Sequence, residues 1–354
     1  MRIVLTGGGT AGHITPHLAL LPRLRAQGFD IHYLGTRHGM EFALIEREGV
    51  PFHAISAGKL RRYFDWKNLS DLLRIGKGFV QALEILRRLR PDVVFSKGGF
   101  VSTPVVWAAW ALRIPAIIHE SDISPGLANR LSMPFAARVC YSFPETARYL
   151  KPGQGVLTGV PVREGLSVGD AVTGRKLCRF STEQPVILVI GGSQGSGVLN
   201  TLIREGLPAL LPDFQVCHLC GKGHIAVELA ETPGYMQFEY VHDELPHLLA
   251  LADVIVARAG ATTLFEILAV RKANLLIPLS KIASRGDQIL NARSFAQQGF
   301  SRVLIEEELN QDIFLNALRE VYAQRESYIA AMANTPALQA VDAVMKVILG
   351  CCKR

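Results

Sequence analysis

The stretch "RIVLTGGGTAGHITPHLALL", residues 2–21, decides the fold of this protein. Its apolar and β-branched start predicts a buried strand over residues 2–6, which runs into three consecutive glycines and then into a helical pattern. Glycines at such a turn let backbone amides approach a ligand and direct the N-terminus of a helix toward it. His13 stands where this helix is expected to begin. Its imidazole is therefore predicted to face the ligand and to act as a base; the alternative is that it only covers the helix end.

The same pattern opens the second half of the chain. "VLTGGGTAG" (residues 4–12) and "LVIGGSQGSG" (residues 188–197) both combine a strand, a glycine turn and the start of a helix. Short β-branched runs alternate with helical patterns along most of the chain, which is typical of parallel α/β layers. The predicted strands cover residues 2–6, 31–35, 92–96, 116–120, 138–142 and 155–158, and then 186–190, 214–220, 236–240, 253–257, 274–278 and 301–304.

These patterns predict an α/β protein of two Rossmann-like, doubly wound domains that face a cleft. Ligands are expected beyond the carboxyl ends of the strands. We place the first domain at residues 1–160 and the second at 161–340, and we expect the C-terminal helix end, 341–354, to pack back on the first domain. The polar segment 159–184 is predicted to be a linker.

Charge is distributed unevenly along the 354 residues. Residues 1–165 contain 21 Lys and Arg against 12 Asp and Glu, whereas residues 166–354 contain 17 against 19. The excess indicates that the first domain meets an anionic partner, although a generally basic solvated surface would show it too. No apolar run reaches the roughly 18 residues that span a bilayer, so we expect a soluble or peripheral cytoplasmic protein.

The first glycine turn also matches the dinucleotide fingerprint, because Gly7, Gly9 and Gly12 have its spacing. A nicotinamide site needs an acidic residue after the second strand, where this chain has Arg37 instead. Arg37 would suit a 2′-phosphate, so an NADP-dependent dehydrogenase remains a weaker interpretation. No Lys followed by Ser or Thr completes the turn, which excludes a Walker-type loop.

Other strand ends carry further candidates. Ser193 adds a hydroxyl to the second glycine turn, and Gln288 follows a later strand. Thr263 and Glu266 have the spacing of a capping box, so Glu266 is predicted either to close its own helix or to bind both hydroxyls of a ribose. No Asp-x-Asp pair occurs, and Cys217 and Cys220 point to opposite faces of a predicted strand. We therefore expect no metal site and no required cofactor, with helix ends stabilising any departing diphosphate.

Seven distinctive stretches occur in an order that resembles the MurG family of glycosyltransferases over nearly the whole chain. They are "GGGTAGHITP", "KGGFVSTPVVWAA", "IIHESDISPGLANR", "GVPVR", "GGSQGSGVLN", "DVIVARAGATTLFEI" and "DQILNARSF". The resemblance implies the GT-B fold and transfer of N-acetylglucosamine from UDP-GlcNAc to an undecaprenyl-diphosphate-linked muramyl-pentapeptide in peptidoglycan synthesis. Alternatives are a related GT-B enzyme with another acceptor, a UDP-GlcNAc epimerase, or a lipid-binding scaffold without activity.

The resemblance also implies roles for individual residues. His13 lies close to the reaction, Glu266 binds the ribose, and a backbone group near His242 meets the uracil. The substrate-binding set is Thr10, Ala11, Gly12, Arg163, Ser193, His242, Ala261, Thr262, Thr263, Leu264, Phe265, Glu266 and Gln288. One departure from the family pattern is important: the family usually has His-Glu-Gln-Asn where this chain has His119-Glu120-Ser121-Asp122, so Asp122 replaces the usual Asn. Either His13 or Asp122 is therefore predicted to be the base.

A basic and aromatic segment in the first half favours a membrane surface. Phe64, Trp66, Ile75 and Phe79 are the predicted membrane contacts, and Lys and Arg residues surround them. At helical spacing, residues such as Leu73 are instead expected in the core. The resemblance implies a peripheral enzyme on the cytoplasmic side of the bacterial membrane, with partners among cell-wall and division proteins and none among nucleic acids.

Overall fold

The computed structural model describes residues 1–58, 67–192, 194–281, 286–333 and 335–352. The chain forms two compact units, the first comprising Met1–Arg163 with Gln339–Arg354 and the second comprising Glu164–Leu338. Phe64 and Trp66, predicted to contact a membrane, and Ser193, predicted to bind the nucleotide, lie outside the described residues.

The first unit is built on a parallel sheet. In its described part the strands are β1 (Arg2–Gly7), β2 (Asp30–Gly35), β3 (Phe52–Ala54), β4 (Val93–Gly98), β5 (Ala116–Glu120), β6 (Arg138–Tyr141) and β7 (Gly155–Leu157). The helices are α1 (Thr15–Ala26), α2 (Met40–Arg47), α3 (Lys67–Leu89), α4 (Ser102–Ala111) and α5 (Leu127–Ser132). The strand order is β3-β2-β1-β4-β5-β6-β7, so the order reverses between β1 and β4, where doubly wound sheets bind ligands.

Both faces of this sheet are covered, because alternate residues of β1 enter different cores. Ile3 and Leu5 pack with residues of α1 such as Leu20, whereas Val4 packs with residues of α3 and α4 such as Leu86. Near-continuous apolar strands are the sequence consequence of a sheet buried on two sides.

The second unit repeats this plan. In its described part the strands are β8 (Val186–Ile190), β9 (Gln215–Leu219), β10 (Tyr235–Phe238), β11 (Val254–Ala257), β12 (Ala273–Leu276) and β13 (Arg302–Val303). The helices are α6 (Ala171–Leu177), α7 (Gly197–Leu210), α8 (Leu245–Leu251), α9 (Ala261–Val270), α10 (Asp287–Gln297), α11 (Gln311–Ala323) and α12 (Arg325–Met332). The parallel strands have the order β10-β9-β8-β11-β12-β13, with the reversal between β8 and β11.

The last helix, α13 (Ala340–Cys352), belongs to the first unit. Its Val344 and Ile348 are buried in the same core as Leu20, and its Asp342 forms an ion pair with Arg23 of α1 at 3.4 Å. Among the described residues no single helix is long and apolar enough to cross a membrane. One bent pair, Arg325–Met332 with Ala337–Cys352, passes that test only when its two halves are combined.

The predicted linker over residues 159–184 contains the boundary between the two units, after Arg163, but it is too long because residues 171–177 form helix α6 of the second unit. The Asp170 side chain caps α6 by accepting hydrogen bonds from the amides of Val172 and Thr173. Gly169 and Gly174 then allow α6 to meet α8 closely: an added Cβ would lie 1.9 Å from the Pro246 carbonyl oxygen and 2.4 Å from that of His247. The glycines that resembled linker composition are there for helix packing.

Candidate functional site

The backbone of the turn after β1 positions the imidazole of His13. Residues Ala11–His13 form a single 3-10 turn, and α1 begins only at Thr15. The prediction that His13 starts the helix is therefore wrong, because His13 precedes it. The Nδ1 atom of His13 lies 3.0 Å from the Gly8 carbonyl oxygen and 3.1 Å from Oγ1 of Thr10. A carbonyl oxygen only accepts, so Nδ1 carries the proton, and in the neutral ring Nε2 is the basic nitrogen.

The turn after β4 packs directly on the turn that carries His13. Gly99 has a φ of +82°, and a Cβ at this position would lie 2.2 Å from the Gly8 carbonyl oxygen and 3.3 Å from Nδ1 of His13. Only glycine fits such an approach. In the sheet, β4 lies between β1 and β5. His13 and Asp122 therefore do not lie on neighbouring strand-end loops, and the prediction that they do is wrong.

A buried carboxylate shapes the loop of Asp122. Glu120, the last residue of β5, accepts hydrogen bonds from the amide of Asp122 at 3.0 Å, the amide of Gly126 at 3.1 Å and Nδ2 of Asn129 at 2.8 Å. Burial raises the pKa of Glu120, and the neighbouring Asp122 raises it further. The Thr146 hydroxyl fixes the loop from the other side by donating to the carbonyl of Ile123 at 3.1 Å. Glu120 was missed in the sequence, although its place in "HESD" beside Asp122 was a signal.

A buried arginine joins three strand-end loops of the second unit, and it was also missed. Arg258 follows β11 and donates to Oγ of Ser196, the N-cap of α7, with its Nη2 at 2.7 Å. It also donates to the carbonyls of Ile277 and Pro278, which follow β12, at 3.0 and 3.2 Å, and it pairs with Glu306. The signal for it was a single arginine at the end of an apolar strand.

The structure separates the two interpretations of Glu266. Helix α9 begins at Ala261 with Gly260 as N-cap and without a side-chain capping bond, so Thr263 lies inside the helix and the capping-box interpretation is wrong. Glu266 is half-buried in the second turn of the helix. Leu264 and Phe265 are buried, so their side chains support the helix rather than face a ligand.

Three further predicted ligand contacts lie on separate elements. The Nε atom of Arg163 is buried and has no hydrogen-bond partner among the described residues. His242 is exposed, its amide donates to Oε2 of Glu244 at 3.0 Å, and its ring packs edge-on to that of Tyr240. Gln288, at the start of α10, accepts a hydrogen bond from the Leu279 amide at 3.1 Å. Binding of a nucleotide-sugar by these residues stays a prediction.

Two predicted membrane contacts point the wrong way. Ile75 is only 7% exposed, and Phe79 is half-buried against the core of the first unit. Among the side chains of α3 and α4 that the structure describes, the exposed apolar ones include Leu73 at 73%, Val80 at 54% and Trp110 at 58%. The prediction from helical spacing that Leu73 lies in the core is therefore wrong, although other residues of α3, such as Leu86, are buried there.

Two family models match this chain. The N-terminal domain model of glycosyltransferase family 28 matches residues 3–141, and the C-terminal domain model matches residues 186–348. The chain belongs to glycosyltransferase family 28. This assignment confirms the predicted glycosyltransferase and the GT-B fold, and it contradicts the NADP-dependent dehydrogenase interpretation of the first glycine turn.

Relatives of similar length support the assignment to the family. A Clostridium tetani protein is 50% identical over 98% of this chain and 97% of its own length, and one from Lachnoclostridium phytofermentans is 53% identical over 98% of each. Both are named UDP-N-acetylglucosamine–N-acetylmuramyl-(pentapeptide) pyrophosphoryl-undecaprenol N-acetylglucosamine transferase. The crystal structure of Acinetobacter baumannii MurG superposes with a TM-score of 0.74 at 25% identity, covering 99% of both chains. A UDP-GlcNAc 2-epimerase from Neisseria meningitidis, at 12% identity and a TM-score of 0.70, shares the fold.

Proposed function

We propose that this protein is an inverting N-acetylglucosaminyltransferase that moves GlcNAc from UDP-GlcNAc to a lipid-linked muramyl-pentapeptide. Relatives about 50% identical over nearly their whole length carry the name of that activity. The observation that carries the proposal is the placement of His13, which the Gly8 carbonyl holds at the reversal of strand order with Nε2 as its basic nitrogen. A base at this point suits transfer to a hydroxyl.

The reaction is a single displacement. The acceptor hydroxyl attacks the anomeric carbon of GlcNAc, the bond from that carbon to the diphosphate oxygen breaks, and UDP leaves with the bonding electrons. A base removes the hydroxyl proton as the new bond forms. His13 is that base, with Asp122 stabilising the resulting imidazolium; in the alternative that the residues leave open, Asp122 takes the proton itself.

The donor is held by the second unit. The first amides of α9 follow Gly260, which supplies no capping side chain, and they suit the negative charge of a diphosphate. Glu266 accepts hydrogen bonds from the ribose hydroxyls, and Gln288 binds the sugar. Arg163, the residue directly before the second unit, has a buried Nε without a hydrogen-bond partner among the described residues and adds positive charge for the nucleotide.

The transfer needs no metal ion. Within the described part of the chain, no three His, Cys, Asp or Glu side chains are grouped so that they would hold one. The amides at the glycine turns and at the start of α9 stabilise the charge on the leaving UDP instead.

The protein works on the cytoplasmic face of a bacterial membrane, in cell-wall synthesis linked to cell shape and division. Leu73, Val80 and Trp110 are exposed apolar side chains of the first unit, and Arg74 and Lys77 lie beside them in the chain. Such a surface suits anionic lipid and a lipid diphosphate acceptor.

To test this function, the protein is incubated with UDP-GlcNAc and a short-chain analogue of the lipid-linked acceptor. The release of UDP is measured, and the new glycosidic bond is analysed by NMR. We expect UDP release that depends on the acceptor, with a β-linked product. Conversion of UDP-GlcNAc to its 2-epimer without acceptor would favour the epimerase instead. Binding of the lipid analogue with neither reaction would favour the non-catalytic scaffold.

A further inference from the structure

A lysine is buried between the two loops that carry His13 and Asp122. Lys97 lies near the end of β4, the strand between β1 and β5, and is only 1% exposed. The register between β1 and β4 shifts at this point: Thr6 pairs with Ser96, but Gly7 pairs with Gly98, so Lys97 is the extra residue. Such an irregularity redirects a side chain and is common beside active sites.

The ammonium of Lys97 reaches toward the loop of Asp122. Its Nζ donates a hydrogen bond to Oγ of Ser121. The carboxylates of Glu120 and Asp122 both attract its charge. Glu120 also accepts three hydrogen bonds from its own loop and from α5, and Asp122 follows it by two residues on the same loop.

The other titratable groups around Lys97 are held neutral. Burial, followed by the charge of Lys97, lowers the pKa of His17 to about 3 and that of His119 well below its usual range. Burial raises the pKa of the Cys140 thiol to about 12. The remaining titratable groups of this cluster are Lys97 itself, Glu120, whose pKa is raised by burial, and Asp122.

We propose that Lys97 is a positioning residue for the transfer: it holds the segment Ser121–Asp122 in place and supplies a positive charge near the Asp122 carboxylate. The inference rests on the proposed function, because it concerns the loop that serves the base. Lys97 touches no reacting atom and acts through Ser121 and Asp122. A carboxylate stays ionised more readily beside a cation, whether it is itself the base or stabilises a protonated His13.

This role predicts a pH dependence. Burial lowers the pKa of Lys97 to about 8, against the opposing attraction of Glu120 and Asp122. The ammonium is therefore present below pH 8 and is lost as the pH rises through about 8. The rate of transfer is expected to fall over the same interval.

Lys97→Met removes the charge and keeps a chain of similar length. We expect kcat to fall by about 10²-fold, typical of a misplaced catalytic group, with an unchanged Kd for UDP-GlcNAc and no remaining fall of kcat near pH 8.

Ser121→Ala is the milder variant and carries the test if Lys97→Met does not fold. In Ser121→Ala the ammonium of Lys97 loses the hydroxyl that accepts its hydrogen bond, which should lower the pKa of Lys97 further. The fall of kcat at alkaline pH should then begin at a lower pH than in the wild type. Lys272→Met is the matched control, because Lys272 is a largely buried lysine of the second unit that donates to the Ala250 carbonyl. It should leave kcat and its pH profile unchanged.

A second measurement does not need turnover. The Tm of the protein is measured for Lys97→Met, Asp122→Asn and the double variant at pH 7, and the shifts are expected to be non-additive because the two charges interact. Additive shifts overturn the pairing of Lys97 with Asp122. If the wild type transfers sugar and Lys97→Met has the same kcat and pH profile, the positioning role is overturned. If the wild type transfers no sugar but the shifts are non-additive, the pairing stands and the proposed function fails.

Discussion

Acid should destabilise the first unit through His17. This imidazole is buried, with Nδ1 3.3 Å from the hydroxyl of Tyr33, and burial with the charge of Lys97 lowers its pKa to about 3. The unfolded chain takes up a proton at the ordinary value of 6.5, so between pH 6.5 and 3 the unfolded state binds more protons than the folded state. The contribution of His17 to stability is therefore complete above pH 6.5 and declines as the pH falls. At pH 5, which is 1.5 units below 6.5, the free energy of unfolding is lower by about 2 kcal/mol.

The assay is hydrogen exchange followed by mass spectrometry at pH 7 and pH 5, which reports on each unit separately. Strand β1 reports on the first unit and β9 on the second. In the wild type, the free energy of opening of β1 should decrease between pH 7 and pH 5. In His17→Phe this decrease should be smaller by about 2 kcal/mol, and the part that remains includes the contribution of His119. Phe suits the site because the rings of Tyr33 and Phe95 already pack edge-on to His17.

The second unit provides the control. His218 is also buried with a pKa of about 3, so His218→Phe should change the acid response of β9 and leave that of β1 as in the wild type. An acid response of β1 that is the same in His17→Phe and in the wild type would refute the reasoning.

Four further tests concern the site. Glu266→Ala should weaken binding of UDP-GlcNAc by about 2–3 kcal/mol in calorimetry if it holds both ribose hydroxyls, and an unchanged Kd would contradict that role. His13→Ala should lower kcat by ~10²–10⁴-fold and Asp122→Asn much less; the reverse order in a pH–rate profile would make Asp122 the base. Gly99→Ala should abolish transfer because its Cβ would collide with backbone, whereas Gly76→Ala, with open space around it in α3, should transfer normally and be more stable by up to about 1 kcal/mol. EDTA should leave turnover largely intact, and an absolute need for magnesium or manganese would refute stabilisation of UDP by helix ends.

The sequence alone was sufficient for the plan of the sheets. Runs such as residues 186–190 are apolar on both faces and end in glycine, and this pattern is local, so β8 could be predicted with the bounds that the structure has. β3 was missed because three residues, one of them His53, are too few to show a period. Helix α6 was missed because close packing against α8 requires glycines, which in a sequence look like a linker.

The tertiary structure alone decided which side chains serve the site. The motifs placed His13 and Asp122 at strand ends, but only the order of the strands put β4 between them and so gave Lys97 a place under both loops. Arg258 likewise gains its role from loops far apart in the chain. Whether a charged side chain is buried depends on contacts with segments that are distant in the sequence. Local periodicity does not contain these contacts, so the strands could be predicted and their buried charges could not.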